Sequence, residues 1–320
     1  MPKETSDAIR THRLTKHYGS QRVVDSLNLR VQRGQVYGFL GRNGAGKSTT
    51  IKMLMGMVQP DSGTAELLGE PVAEITPETR ARIAYIAEGH PLYNWMTIGE
   101  AVRFTRAFYP LWNDTLVEQI LDHFELPTKR KLRRLSCGQR AQVSLALAVA
   151  PEPELLILDD PTLGLDTVVR RDFLESLIQI IHREGRTILF SSHILGDVER
   201  VADRIGILVD GVLRVDCPTD QFRESVKKLV LDFTGPAPEG FACPGLVQSW
   251  NLGNQLELVL VGYDDLQRSA IEALGPRNIE VVDLNLEEAF IEYTRGRRRS
   301  LPLFGQEKRD AQSTSDQGAA

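Results

Sequence analysis

A glycine-rich segment that ends in a lysine and two hydroxyl residues lies early in the chain, over Gly41–Thr49, with the sequence GRNGAGKST. An apolar run with the pattern of a buried strand, Gln35–Leu40, precedes it, and a helical pattern follows it. Glycines in such a turn let consecutive backbone N–H groups point inward, and the positive end of the next helix attracts anions. The strand, loop and helix together predict a P-loop that binds the phosphates of a nucleotide.

The residue types in this loop suit the parts of a nucleoside triphosphate. Lys47 can reach the β- and γ-phosphates, and the Ser48 hydroxyl is a ligand for Mg²⁺. We therefore expect ATP and Mg²⁺ as the bound groups. The predicted ATP-binding residues of the loop are Gly41, Asn43, Gly44, Ala45, Gly46, Lys47, Ser48 and Thr49.

Two carboxylates, Asp159 and Asp160, follow a second apolar run, Leu155–Leu158. Beside a P-loop, a strand that ends in carboxylates supplies the other half of the site, so Asp159 is predicted to hold Mg²⁺ through water. In isolation, such an aspartate more often caps the turn that follows its strand. His193 follows a third run, Thr187–Ser191, and could donate a hydrogen bond to a γ-phosphate, although a lone histidine is more often structural.

A helix start is predicted at Ser136, because Ser136 and Gln139 have the spacing of a capping box and a helical pattern continues through Ala150. Backbone N–H groups at such a start point outward and can donate to an anion. A helix start alone would indicate no function. Because this one lies shortly ahead of Asp159, we interpret it as part of the functional site.

These segments together resemble the ABC ATPases. The P-loop, LSCGQ, LLILDD, PTLGLD and SSH stretches occur in the order and spacing of that family, over the part of the chain from Arg10 to Phe222. The resemblance implies an α/β fold, namely a RecA-like core with an antiparallel β subdomain and a helical lobe. It also implies that two such domains face head to tail and hydrolyse ATP between them.

The resemblance assigns further residues to the site. Tyr18, expected on a loop ahead of the first strands, matches the aromatic residue that stacks on adenine. Glu88 occupies the place where the family usually has glutamine, and it is counted with Ser48 and Asp159 among the metal ligands. The residues expected to face the partner's nucleotide are Ser136, Gly138 and Gln139, and Asp166 is expected to connect the two sites of the dimer.

Two positions depart from the family pattern. Asp160 and His193 are the implied catalytic residues, yet the family has glutamate at the position of Asp160. Aspartate is shorter by one methylene, roughly 1.5 Å, and a displacement of about 1 Å can cost on the order of a hundredfold in rate. We expect slow hydrolysis, or a heterodimer with one intact site; alternatively, a local backbone shift restores the usual role. Cys137 replaces a glycine at the helix start, which restricts close backbone approach.

More loosely, the stretches FYP with Trp112, GLDTVVRRDF and DLNLEEAFIEYTRG resemble bacterial ABC ATPases whose permease is a separate chain. The group includes members associated with acetoin utilisation and with antibiotic or lantibiotic export. The resemblance implies a transmembrane permease as partner, a homodimer or a heterodimer with another ABC ATPase, and export as the direction of transport. The place implied for the chain is cytoplasmic, peripheral on the inner face of the cell membrane.

The pattern of the chain divides it into three parts. We expect an ABC ATPase domain over 1–224, with its helical lobe at about 89–150, a small α+β domain over 225–296 and a disordered tail over 297–320. Alternating apolar residues predict one antiparallel strand from Leu27 to Val31, and Asp210-Gly211 predicts a hairpin. The aromatic residues expected in the core of the helical lobe are Tyr93, Trp95, Phe104, Phe108 and Trp112.

Composition narrows the class of function. The formal net charge of −5 gives no support to a nucleic-acid partner, which needs a basic surface. The cysteines, Cys137, Cys217 and Cys243, are too few and scattered for a disulfide framework or a zinc site, as is usual in the reducing cytosol. No signal peptide is recognisable at the start, and no apolar run reaches the about 18 residues of a spanning helix.

Two further functions compete with a transporter subunit. A soluble ABC protein of the DNA-repair type would need long coiled-coil arms, and the segment between Glu88 and Ser136 is too short for them. The ribosome-associated type carries two ATPase domains in one chain, whereas this sequence has a single P-loop. A low-activity ATP-binding partner that regulates a second, catalytic subunit is favoured by Asp160 and Cys137.

Overall fold

Fifteen strands and ten α-helices form over residues 7–294, the part of the chain that the computed structural model describes apart from the side chains of 180–184 and 293–294. The strands are β1 Asp7–Tyr18, β2 Gln21–Leu27, β3 Arg30–Gln32, β4 Val36–Gly41, β5 Ser62–Leu67, β6 Glu70–Pro71, β7 Ile83–Ile86, β8 Leu155–Asp159, β9 Thr187–Ser192, β10 Arg204–Val209, β11 Val212–Pro218, β12 Val226–Asp232, β13 Leu246–Asn251, β14 Gln255–Val261 and β15 Asn278–Asp283. The helices are α1 Lys47–Leu54, α2 Pro77–Arg80, α3 Ile98–Arg106, α4 Asp114–His123, α5 Cys137–Val149, α6 Thr167–Glu184, α7 Leu195–Glu199, α8 Thr219–Ser225, α9 Asp265–Glu272 and α10 Leu286–Thr294. The predicted tail over 297–320 lies outside the described residues.

The central sheet has six strands in the order β11-β10-β4-β9-β8-β7. All its neighbours pair in parallel except β10 and β11, which form the predicted hairpin through Asp210 and Gly211, both at positive φ. Every residue of β4, β8 and β9 is buried, because α1 and strands β1–β3 cover one face of the sheet and α5, α6 and α7 cover the other. These strands are neighbours and run in one direction. Their carboxyl ends therefore bring the P-loop, the two aspartates after β8 and His193 after β9 to the same edge of the sheet.

A second, antiparallel sheet has the order β2-β1-β5-β6, with β3 also paired to β1. The prediction of one strand through Leu27 and Val31 is wrong, because the chain leaves β2 and starts β3 on the other side of a break. Ser26 turns the backbone to a φ of 48°. Thr11 then stabilises the break, since its hydroxyl donates to Leu27 O at 2.9 Å and accepts from Leu29 N at 2.8 Å.

The helical lobe consists of α3, α4 and α5. Thr97 caps α3 in a capping box with Glu100. The predicted aromatic core is wrong for four of its five members, Tyr93, Trp95, Phe104 and Phe108, which are 58%, 67%, 42% and 68% exposed. The inner face of α3 is taken by Ile98 and Ala101, so the aromatic rings lie outside and contact one another, whereas Trp112 is partly buried against the core.

A four-stranded antiparallel sheet, β13-β14-β12-β15, follows α8 and packs with α9 around its own small core. Asn285 and Glu288 cap α10, with Glu288 N donating to Asn285 Oδ1 at 2.8 Å. Although α10 is part of the segment 225–296, it packs against α7 and α8, and Phe290 is buried in the same core as Leu195. No helix that the structure describes is both long and apolar enough to cross a membrane.

Candidate functional site

The P-loop connects β4 to α1. Gly46 is the residue before α1 and has a φ of 106°, and a Cβ added there would lie 2.5 Å from Val23 O, so only glycine fits. No side chain caps α1, which leaves its first N–H groups available for an anion. Lys47, the first residue of α1, is buried and donates from Nζ to Gly41 O at 2.7 Å. Burial lowers the pKa of Lys47, and the carboxylates of Asp160 and Asp159 oppose that shift.

A cavity of about 290 Å³ opens beside this loop and brings together most of the predicted nucleotide residues. It is lined by Val23, Asn43, Gly44, Gly46, Lys47, Ser48, Thr49, Glu88, Asp160 and Leu163. Ala45 lies outside it and lines a neighbouring cavity of about 620 Å³ together with His193 and with Glu287, Phe290 and Ile291 of α10. The structure therefore places α10, the last helix among the described residues, beside the P-loop.

The Ser48 hydroxyl donates to Asp159 Oδ1 at 3.0 Å, so two of the three predicted metal ligands are in direct contact. Burial raises the pKa of Asp159 above its ordinary 3.8, although hydrogen bonds from Ser191 and Ser48 act in the opposite direction. Hydroxyl and carboxylate oxygens suit Mg²⁺, which usually takes few protein ligands and keeps waters and phosphate oxygens. The described residues contain no cluster of three or more His, Cys, Asp or Glu that could hold a metal ion.

Asp160 and His193 form a close pair at the ends of β8 and β9. His193 Nδ1 lies 2.8 Å from Asp160 Oδ2 and 3.0 Å from Oδ1. An ionised carboxylate only accepts, so Nδ1 carries the hydrogen, and Nε2 donates to a phosphate only when the ring is an imidazolium. Asp160 itself has a φ of 47°, in the left-handed region, which turns its side chain away from the direction of the strand.

Three residues of the site were not singled out by sequence. Ser191 bonds both carboxylate residues, through Asp159 Oδ1 and Asp160 N. His90 is buried and donates from Nε2 to Pro161 O at 2.8 Å, which ties the segment after Glu88 to the loop after Asp160. Arg140 donates to Asn94 Oδ1 at 2.8 Å and ties the same segment to α5. Ser191 lies within SSH, His90 shortly after Glu88 and Arg140 directly after LSCGQ, and these positions were the available signal.

The residues predicted to face the partner's nucleotide do not line the cavity beside the P-loop of their own chain. Ser136 is exposed and caps α5 in the predicted capping box with Gln139. A Cβ added to Gly138 would lie 2.5 Å from Val169 Cγ1, so packing of α6 against α5 requires glycine there. Cys137 Sγ lies 4.0 Å from Leu163 O, so its side chain faces the loop after Asp160.

Asp166 and Tyr18 have local contacts that bear on their predicted roles. Asp166 caps α6, since its Oδ1 accepts from Val168 N at 3.1 Å and Val169 N at 3.0 Å. The prediction that Tyr18 lies on a loop ahead of the first strands is wrong, because it is the last residue of β1. Its ring is half exposed, with Lys16 Nζ 5.7 Å from the ring centre. It does not line the cavity beside the P-loop.

Comparisons with known proteins match this arrangement. The model of the ABC transporter family matches residues 24–163. The chain is 30% identical over 291 residues to the ABC transporter ATP-binding protein YtrB of Bacillus subtilis, across 91% of this chain and 99% of YtrB. It is 37% identical over 225 residues to the bacitracin transport ATP-binding protein BcrA of Bacillus licheniformis, across 70% of this chain and 74% of BcrA.

A solved structure of the ATP binding subunit of an ABC transporter shares 31% identity with the chain and superposes with a TM-score of 0.61. The superposition covers 68% of this chain and 92% of that structure. The predicted family and the predicted α/β fold are thereby confirmed. With its P-loop, its paired carboxylates and its histidine at one edge of a parallel sheet, the chain belongs to the ABC transporter family of ATP-binding proteins.

Proposed function

We propose that this chain is the ATP-hydrolysing subunit of an ABC exporter whose transmembrane permease is a separate chain. The observation that carries the proposal is the meeting, at one sheet edge, of Lys47, the Ser48–Asp159 contact and the Asp160–His193 pair. Two such subunits would close on ATP, open after hydrolysis and drive the permease. Their place would be the cytoplasmic face of the cell membrane.

Each group of residues in the site has its own proposed role in ATP hydrolysis. The N–H groups of the loop and of α1, with Lys47, bind the β- and γ-phosphates. Ser48 and Asp159 would hold Mg²⁺, with Glu88 at the rim of the cavity; the ion neutralises charge on the phosphate oxygens. Asp160 accepts a hydrogen bond from the attacking water and orients it in line with the γ-phosphorus, while His193, when both ring nitrogens carry hydrogen, donates from Nε2 to the γ-phosphate.

The start of α5 supports a dimer. Ser136 is exposed and does not line the cavity of its own chain, so we propose that this helix start donates to a γ-phosphate held by a second protomer. Gly138 and Gln139 belong to the same turn. Asp166, as the cap of α6, would then transmit closure from one site to the other. The second protomer is either a copy of this chain or another ABC ATPase.

Two observations favour an exporter with a separate permease. The relatives include proteins named for bacitracin transport and, at 34% identity, for Nod factor export in Burkholderia lata. The second observation is an aromatic patch on the helical lobe, shortly after Glu88, formed by Tyr93, Trp95, Phe104 and Phe108. Exposed aromatic surface of this kind marks a protein interface, and the cytoplasmic helices of a permease are its proposed partner.

A second candidate function, a low-activity partner in a heterodimer, is favoured by Asp160. Its carboxylate is one methylene shorter than the glutamate usual in the family, and such a displacement lowers the rate by on the order of a hundredfold. The left-handed backbone and the contact with His193 favour the alternative that Asp160 serves in the usual role. We propose slow hydrolysis, which comparison with the Asp160→Glu variant tests.

Purification of the tagged chain from its native membranes in mild detergent tests the transporter role. A polytopic membrane protein in fixed ratio with the chain is expected, and its loss from the Trp95→Ala variant would identify the patch as its contact. A second ABC ATPase in the complex would establish the heterodimer. Ribosomal proteins as the companions, or a chain found without any membrane protein, would overturn the exporter proposal.

A further inference from the structure

We propose that Ser191 is a positioning residue that holds the two carboxylate residues of the hydrolytic site in their working arrangement. The inference rests on the proposed ATPase function. Ser191 is 0% exposed and lies near the carboxyl end of β9, the strand between β4 and β8. It therefore stands between the P-loop and the pair of aspartates, where a side chain can act on both.

The hydroxyl of Ser191 uses its donor and an acceptor position at once. Its Oγ donates to Asp159 Oδ1 at 3.0 Å and accepts from Asp160 N at 2.9 Å. Asp159 Oδ1 also accepts from Ser48 Oγ, so this oxygen is held from the strand side and from the P-loop side. The rotation of the Asp159 carboxylate is therefore restricted before any metal binds.

The second bond acts on the backbone of Asp160. A φ of 47° is unfavourable for a residue with a Cβ and persists where the surroundings hold it. Ser191 is the partner of the buried N–H in that conformation, and the same conformation takes the Asp160 carboxylate to His193. Without the hydroxyl, the turn can relax and the carboxylate that orients water moves away from its position.

A matched control lies on the same strand. Thr187, at the other end of β9, is buried and accepts from Gly34 N at 2.9 Å. Thr187→Val removes a buried hydroxyl of similar environment, far along the strand from the carboxylates. Ser191→Thr keeps the hydroxyl and serves as the conservative variant, while Ser191→Ala deletes it. The comparison separates positioning from a general loss of stability.

The test uses the purified full chain and its three variants. Measurements are kcat and KM for ATP, binding of a fluorescent ATP analogue with and without Mg²⁺, and the thermal midpoint without nucleotide. For Ser191→Ala we expect kcat to fall about tenfold to a hundredfold, as for an active-site displacement of about 1 Å. Binding without metal should be unchanged, and half-saturation with Mg²⁺ should need a higher concentration. Ser191→Thr should recover kcat, and Thr187→Val should lower only the thermal midpoint.

An unchanged kcat in Ser191→Ala, or a loss matched by Thr187→Val, would overturn the proposal. The Mg²⁺ titration needs no turnover, so it judges Ser191 even if the wild-type chain fails to hydrolyse ATP. In that case a shifted Mg²⁺ requirement in Ser191→Ala supports the positioning role, and an unshifted one refutes it. Failure of the wild-type chain to hydrolyse ATP would count against the proposed function alone.

Discussion

The imidazole of His193 contacts both carboxylate oxygens of Asp160, at 2.8 Å and 3.0 Å from Nδ1. The parallel pairing of β8 with β9 brings these residues together, although the two segments are distant in sequence. Asp160 is the residue that departs from the family pattern, and His193 is the residue proposed to donate to the γ-phosphate. We therefore propose that the position of the Asp160 carboxylate limits the rate of hydrolysis.

Replacing Asp160 by glutamate should raise kcat. The extra methylene extends the carboxylate by about 1.5 Å, and a misplacement of about 1 Å accounts for as much as a hundredfold in rate. Steady-state phosphate release from the two purified proteins measures the difference. Asp160→Asn, which keeps the size but removes the charge, should lower kcat and is the control. Equal turnover of wild type and Asp160→Glu would mean that the left-handed backbone already places the shorter side chain correctly.

Changes in the aromatic patch should affect assembly and leave the chain itself intact. Trp95→Ala and Phe108→Ala should alter the free energy of unfolding by no more than about 0.5 kcal/mol, because both side chains are largely exposed. The permease should no longer copurify with either variant, whereas ATP hydrolysis by the free chain should persist. Leu266→Ala, at an 81% exposed leucine of α9, is the matched control. Retention of the permease by the patch variants would place its contact elsewhere.

Phe290→Ala should destabilise the protein by about 3–5 kcal/mol, the usual cost of emptying a buried aromatic site. Phe290 is 6% exposed and packs in the core that also contains Leu195 of α7. Ile291→Ala, next to it but 43% exposed, should cost about 1 kcal/mol or less. Denaturant unfolding of both variants measures the difference. Similar small losses would mean that α10 contributes little to the core.

The pH dependence of stability should reveal the raised pKa of Asp197. Burial raises its pKa above 3.8, although its hydrogen bond from Thr162 and the charge of Arg170 act in the opposite direction. A carboxyl with a raised pKa in the folded state weakens folding once it ionises, so stability falls as pH rises from 3.8 through the folded pKa. Asp197→Asn should therefore be more stable than wild type at pH 7.

This advantage of Asp197→Asn should shrink as the pH is lowered through the folded pKa, and it should vanish below about 3.9, where the unfolded carboxyl is also protonated. Chemical unfolding at a series of pH values measures both curves. Thr162→Val removes a hydrogen bond that lowers this pKa, so it should raise the folded pKa of Asp197 further and steepen the loss of stability with rising pH. An Asp197→Asn variant less stable than wild type at pH 7 would show that the attraction to Arg170 outweighs burial.

The strands that hold the site were predictable from sequence. β4, β8 and β9 lie within a residue of their expected bounds, because a strand covered on both faces is a continuous apolar run. The caps at Thr97 and Ser136 were predictable because a capping box is written within four consecutive residues. The break between β2 and β3 was not predictable from sequence, because Thr11, the residue that stabilises it, belongs to another strand.

By itself, the sequence determined the ABC family, the nucleotide-binding loop and the identities of the carboxylates, because each depends on residue type and short spacing. Only the tertiary structure decided that Ser191 bonds Asp159, 32 residues away. It also decided that α10 packs beside α7 and that the aromatic patch is exposed. Helical spacing states which residues share a face, but whether a face is covered depends on elements that fold against it from elsewhere in the chain.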